Sequence, residues 1–260
     1  MDENIENNNE IEESKRGLSS SALKLIAMVS MLIDHIGAGF LEKGYLPYLK
    51  RSFGGTSAIY EKWDLIDSYM RLIGRLAFPI FCFVLVEGFL HTRDLKKYLA
   101  RLFIFAIISE IPFDMCFRKA YVNWNYQNVI WTMFLGVLAM AALKMIDDKS
   151  TAKAMNIILS ILVVVLFGAL GVLLKTDYNG VGVCLIIVFW FLRDNEFFRD
   201  LCGSIVILGA GIIEIASYPS FVLMHFYNGE RGINLKYLFY VFYPMHIFII
   251  ALVRIAVFGG

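Results

Sequence analysis

Charge is scarce in this sequence. Charged residues make up 18% of the 260 positions and hydrophobic ones 58%, whereas soluble domains run near a quarter and a half. Cysteine is sparse as well: Cys82, Cys116, Cys184 and Cys202 are scattered with no CxxC pair. That spacing gives neither a disulfide framework nor a zinc or redox motif, and reads as small buried apolar residues. No Rossmann glycine fingerprint, P-loop or metal-ligand cluster is present, so NAD, ATP and metal ions have no support. A net charge of +1 implies no nucleic-acid partner. The opening "MDENIENNNEIEESKRG" has no basic start and no cleavage site, so it does not read as a signal peptide.

What remains is long apolar runs, at a mean hydropathy of +0.64, and such runs mark bilayer spans. The expected fold class is all-α: a polytopic membrane helix bundle of about eight transmembrane helices. They are placed at 19–41, 69–91, 97–117, 128–146, 153–174, 179–193, 200–217 and 235–258, with a ninth if 218–228 forms its own element. Residues 1–18 are expected as a disordered acidic cytoplasmic tail. Residues 19–260 form a single transmembrane domain, with an extracytoplasmic loop at 42–68 folded over one face. Lys15, Arg16, Arg93, Lys96, Lys97, Lys144, Lys149, Lys153, Arg193 and Arg199 fall on one side of this layout, and Arg118, Lys119, Lys175 and Arg231 on the other, with more in the long first loop. The positive-inside rule therefore puts the N-terminus in the cytoplasm.

Ionisable residues inside spans are costly, about 2.5–3.5 kcal/mol each near the bilayer centre on insertion scales. This chain carries many: Lys24, Asp34 and His35 in the first span, then Arg71, Arg75 and Glu87 in the second. Glu110 and Asp114 follow in the third, Glu214 in the seventh and His246 in the last. Lys24 and Arg71 lie near span ends and can snorkel. Asp34, His35, Arg75 and Glu87 are expected to face inward, pairing or lining a wet cavity. Eleven steps separate Lys24 from His35, which is three turns plus about 20°, so both lie on nearly one face about 16 Å apart along the axis. That suits a cavity with a cation at its mouth and an imidazole in its depth. Asp34 points about 100° away and is expected to meet another helix, with Arg75 its natural partner by charge. Arg75 and Glu87 are about 120° apart in phase and are not expected to bond directly. Gly37 and Gly39 permit close helix approach. The bland readings stand beside these: an intramembrane histidine also serves as a strut between helices, and Glu110 with Asp114 also close a helix end.

A basic residue, ten intervening positions and a histidine in the first span resemble the signature of the transmembrane acyltransferase superfamily. The chain resembles more closely the TraX family, named for a conjugation protein linked to N-terminal acetylation of F-type pilin. The stretches that carry the resemblance are "LKLIAMVSMLIDHIG" (23–37), "RLIGRLAFPIFCFVLVEGFLHT" (71–92), "ISEIPFD" (108–114), "NVIWTMFLG" (128–136), "YNGVGVCLIIVFWFLR" (178–193) and "FYPMHIF" (242–248). They are spread over residues 20–250, so the resemblance spans almost all of the chain beyond the acidic tail.

The resemblance implies acyl transfer from cytoplasmic acetyl-CoA, a co-substrate, to an amine or hydroxyl in or beyond the membrane. The acceptor would be a pilin N-terminus or an envelope polymer, and the location a bacterial cytoplasmic membrane. A base with a near-neutral pKa is then wanted, and histidine supplies it: His35 is the candidate, with Asp34 orienting a neighbour or balancing charge. Direct attack and a ping-pong route through acylated His35 both stay open. Arg75, Asn128 and Tyr243 are candidate oxyanion donors. Lys24, Arg93, Lys96 and Lys97 are candidates for the phosphates of the acyl-CoA. Arg71, Glu87, Glu110, Asp114 and His246 belong to the polar cavity or are structural. The competing class is a proton-coupled transporter using the same buried Asp, His and Arg residues.

Overall fold

The structure, a computed structural model, describes residues 17–148, 152–233 and 236–259. Among these there is no sheet, only two isolated bridges, Leu18 with Tyr227 and Gln127 with Thr176. Most of the acidic tail, Lys15, Arg16 and Lys149 lie outside the described residues. Leu18 already belongs to the fold, since its N–H donates to the Phe226 carbonyl at 2.7 Å and its carbonyl accepts from Asn228 N–H at 3.1 Å.

Helix α1 (Ser20–His35) starts at Ser19, whose hydroxyl accepts the Ala22 N–H at 3.3 Å, as an N-cap should. It does not end at a loop. The chain widens into a π-helical segment, Ile36–Tyr45, and runs on as α2 (Leu46–Phe53). Three glycines set the contacts of the wide segment: a Cβ on Gly37 would strike Asp67, on Gly39 Cys116 and Ile250, and on Gly44 Phe258 and Arg254. Helix α3 (Ala58–Gly74), capped by Ser57, lies antiparallel to this run. The segment 42–68, expected as a loop, is thus helical almost throughout. Its polar composition comes from side chains on the outer faces of two helices rather than from irregular backbone.

The expected second span is broken. α3 stops at Gly74, Arg75 and Leu76 form a turn, and α4 runs Ala77–Leu90. Pro79 supplies the cause, because it has no N–H for the Arg75 carbonyl and its ring crowds that turn. Ser30 of α1 donates to the Ile73 carbonyl at 2.6 Å beside the break. Helix α5 (Leu95–Phe113) is capped by Asp94, which takes the Lys97 N–H at 3.0 Å, and loosens past Pro112 into a π turn at Asp114–Arg118.

Helix α6 (Val129–Asp148) is followed by α7 (Lys153–Leu173). The outer face of α7 is a continuous apolar surface that includes Ile158, Ile161, Leu162, Val165 and Leu166, which suits lipid. Helix α8 (Asn179–Phe191) occupies the centre, packed by α4, α6, α7 and α9 (Glu196–Leu208). The expected seventh helix ends early: Gly209–Gly211 form a turn, with Gly211 at φ +143°, and a 3-10 segment Ile212–Ser217 leads into α10 (Pro219–His225). Helix α11 (Lys236–Phe258) closes the bundle against α1, α5 and the π-helical segment.

Five stretches are long and apolar enough to cross a membrane: Ser20–Phe53, Ala58–Leu90, Val129–Asp148, Lys153–Leu173 and Leu238–Phe258. The chain is therefore an all-α, multi-pass membrane protein. The count of eight was generous for identifiable reasons: α5 carries Lys96, Lys97, Arg101 and Glu110, and Asn179–Phe191 and Ile212–His225 are shorter apolar helices.

Candidate functional site

A cavity of about 850 Å³ opens at the ends of α1, α4 and α5 and penetrates the bundle, within the roughly 300–1,000 Å³ range of small-molecule sites. Its open end carries Lys24, His91, Arg93 and Arg231; its inner end carries Asp34, His35, Asp177 and Tyr178. Apolar side chains, among them Met28, Met31, Phe81, Leu102 and Met133, line the stretch between. Lys24 and His35 thus share one wall, as the helical period of α1 requires.

At the inner end the side chains of Asp34 and His35 are 17% and 14% exposed, and His35 Nε2 lies 4.0 Å from Asp34 Oδ2. Asp34 pairs with Arg71, Nη1 to Oδ2 at 2.6 Å, and Arg71 Nε reaches Glu42 at 3.3 Å. The expected partner of Asp34, Arg75, instead binds Glu214 of the 3-10 segment at 3.0 Å. The turn at Arg75–Leu76 explains the exchange, since it takes Arg75 off the face that Arg71 shares with α1. Gly74 lets the two helices meet here, for a Cβ on it would overlap the Asp34 side chain. On its other side His35 meets α11: Nδ1 is 2.7 Å from His246 Nε2, and His246 Nδ1 is 2.6 Å from the Phe242 carbonyl. Phe117 and Tyr243 stand edge-on to His35, with ring centroids at 5.0 and 5.9 Å.

At the open end Lys24 Nζ sits over the Phe239 ring at 5.3 Å. Arg101 lies between Tyr98 and Tyr240, 5.9 and 6.0 Å from their centroids, a cation–π arrangement. Glu87 lines the same cavity and accepts the Tyr227 hydroxyl at 3.2 Å.

Several residues picked from the sequence lie elsewhere. Lys96 and Lys97 are on the outer surface, where Lys97 pairs with Asp94 at 3.1 Å. Glu110, Asp114 and Asn128 form a separate network that ties α5 to the start of α6. Glu110 accepts from Asn128 Nδ2 and Trp131 Nε1, both at 2.6 Å, while Asp114 accepts the Asn123 N–H. Asn128 also gives its amide to the Ala106 carbonyl at 2.8 Å. With both amide donors committed, it has none left for an oxyanion. Of the three candidate oxyanion donors, Tyr243 alone lines the cavity.

The sequence reading missed Asp177 and Tyr178, which sit in the turn between α7 and α8. Tyr126 donates to Asp177, and the Tyr178 ring stacks on Phe78 with centroids 3.6 Å apart. Burial raises the Asp177 carboxyl above its ordinary pKa, against the pull of the Tyr126 hydroxyl and of Arg75. "KTDYNG" between two apolar runs is the signal that was there to read, as a short turn holding an acid and an aromatic. Arg101 was missed too, because nothing local distinguishes it from other basic residues, and Arg231, placed from the sequence on the side opposite Lys24, shares the open end with it, where Ser21 N–H donates to the Arg231 carbonyl at 3.1 Å.

No solved structure matches the chain. A probable fimbrial assembly protein, FimC of serogroup H1, from Dichelobacter nodosus is 27% identical over 256 residues, covering 88% of this chain and 93% of that protein. The model of the TraX protein family matches residues 19–254, from the cap of α1 to the last turns of α11, and the chain belongs to that family.

Proposed function

We propose that this protein is a membrane acetyltransferase that carries an acetyl unit from cytoplasmic acetyl-CoA to an amine or hydroxyl acceptor. One observation carries the reading: a single cavity holds cations at its open end and His35 at its closed end, about 16 Å further along the axis of α1. The separation matches a donor with phosphates at one end and a thioester at the other. Lys24, Arg93 and Arg231 face the phosphates, and the apolar middle accommodates a slim, uncharged arm. Membership of the TraX family adds to the support.

His35 takes the proton of the acceptor as the acceptor attacks the thioester carbonyl. Tyr243, the candidate donor that lines the cavity, donates to the oxyanion. Asp34, held by Arg71, faces the imidazolium that results. The carbon–sulfur bond breaks, the thiolate recovers the proton, and no metal takes part. The fimbrial role in the relative's name favours a pilus subunit, at its N-terminal amine, over another envelope component as acceptor. The membrane is the bacterial cytoplasmic one, and a cytoplasmic N-terminus puts the open end of the cavity in the cytosol, where acetyl-CoA is.

The test uses purified protein in lipid nanodiscs. Acetyl-CoA binds, and His35→Ala abolishes transfer while the thermal transition stays in place. Mass spectrometry of envelope components from cells with and without the protein then shows which one loses the acetyl mass. Transfer that survives His35→Ala removes the base assignment. Proton-driven solute uptake without thioester cleavage makes the protein a transporter.

A further inference from the structure

The geometry points to His246 as a positioning residue that sets the tautomer of His35 and so decides which ring nitrogen meets the cavity. The argument starts at the Phe242 carbonyl, which can only accept a hydrogen bond. His246 Nδ1, 2.6 Å away, therefore carries a proton. A neutral imidazole has one N–H, so His246 Nε2 is an acceptor. His35 Nδ1 lies 2.7 Å from that nitrogen and must be the donor. The bare nitrogen of a neutral His35 is then Nε2, the one on the wall shared with Asp34. One backbone carbonyl thus fixes the direction of both hydrogen bonds.

The surroundings hold this order in place. Phe242 stacks on His246 with centroids 4.5 Å apart, Phe117 stands edge-on to His35, and Tyr243 stands edge-on to both rings. A strut that only joined helices would work with its hydrogen bonds running either way; here the carbonyl allows one direction. The orienting role resembles that of the carboxylate in a serine protease triad, with an imidazole and a carbonyl in its place. The consequence for catalysis rests on the acetyl-transfer reading. The acceptor's proton arrives on His35 Nε2, and the positive charge is shared with His246 through the Nδ1–H bond. The same proton then leaves with the thiolate sulfur, so His246 is neither consumed nor in contact with substrate.

The test is nitrogen NMR of the full chain, labelled with 15N-histidine and reconstituted in lipid bilayers at neutral pH. Four histidines are present, and His35 is assigned by the signal lost in His35→Gln. The wild-type protein shows His35 with a protonated Nδ1, a bare Nε2 and coupling across the bond to His246. A bare Nδ1 on His35 overturns the proposal, and this measurement needs no variant of His246. In His246→Leu the fixed tautomer is lost. In His246→Gln it is kept, because the amide oxygen can take the place of the accepting nitrogen.

With acetyl-CoA as donor and a short peptide with a free N-terminal amine as acceptor, release of the CoA thiol by His246→Leu falls on the order of 100-fold in kcat with little change in KM, and His246→Gln recovers most of it. An unchanged kcat in His246→Leu overturns the positioning role. If the wild-type protein cleaves no thioester, the acetyl-transfer reading fails, while the spectrum still decides the tautomer.

Discussion

A carboxylate inside a helix bundle needs a cation within reach, and Asp34 has Arg71 at 2.6 Å. Removing one member of such a pair leaves the other charged and poorly solvated, at a cost of about 3 kcal/mol. Arg71→Leu is therefore expected to lower the thermal midpoint in detergent by several degrees. Adding Asp34→Asn to that variant restores most of the loss, and a double change no more stable than Arg71→Leu alone would show that the pair carries little of the stability. At this scale the sequence was informative where a single helix decides the geometry. Lys24 and His35 share a wall because eleven steps bring an α-helix back to the same face. It was uninformative where two helices decide it. Arg71 and Arg75 are one turn apart in the sequence, and only the break before Pro79 separates their partners. His246 lies in "FYPMHIF" with nothing local to say that α11 abuts α1, so its bond to His35 could not be read from spacing.

Close approach between elements is governed here by a few glycines. Gly74 faces the Asp34 side chain with no room for a Cβ. Gly74→Val is expected to destabilise the protein by about 1–3 kcal/mol through overpacking, measured as a lower thermal midpoint. It should also loosen the Asp34–Arg71 pair and reduce turnover. A variant as stable and active as wild type would mean that α1 and α3 are less closely packed than described. Helix positions were legible wherever an apolar run had clear ends, as in α6, α7 and α11. Two kinds of element were not. Residues 42–68 looked like a loop because polarity was read as irregularity, although Ser57 before the α3 run is an N-cap signal. The run 200–217 looked like one helix because hydropathy is blind to backbone, and Gly211 at φ +143° ends any helix there.

For the molecule as a whole, the cavity joins a cationic opening to a histidine at its inner end, and under the proposed acetyl transfer the two ends are separable by kinetics. Arg93→Ala together with Arg231→Ala is expected to raise KM for acetyl-CoA by about tenfold and leave kcat within about twofold, since charge at the opening acts on binding. A fall in kcat with KM unchanged would place those arginines elsewhere in the cycle. The fold class and the depth of the histidine were legible from composition and period; the shape of the enclosed space was not, because it is made by the helix contacts. The helix at the centre of the bundle, Asn179–Phe191, is about 20 Å long, short of the roughly 30 Å hydrocarbon layer. No residue from Gly180 to Trp190 is exposed. A segment with at most a half-buried stripe, along Val181, Cys184 and Val188, gains little by being released sideways into the bilayer on its own during synthesis. It has to wait at the insertion machinery until the helices on both sides of it are available, so the order of biogenesis is written into the centre of the bundle.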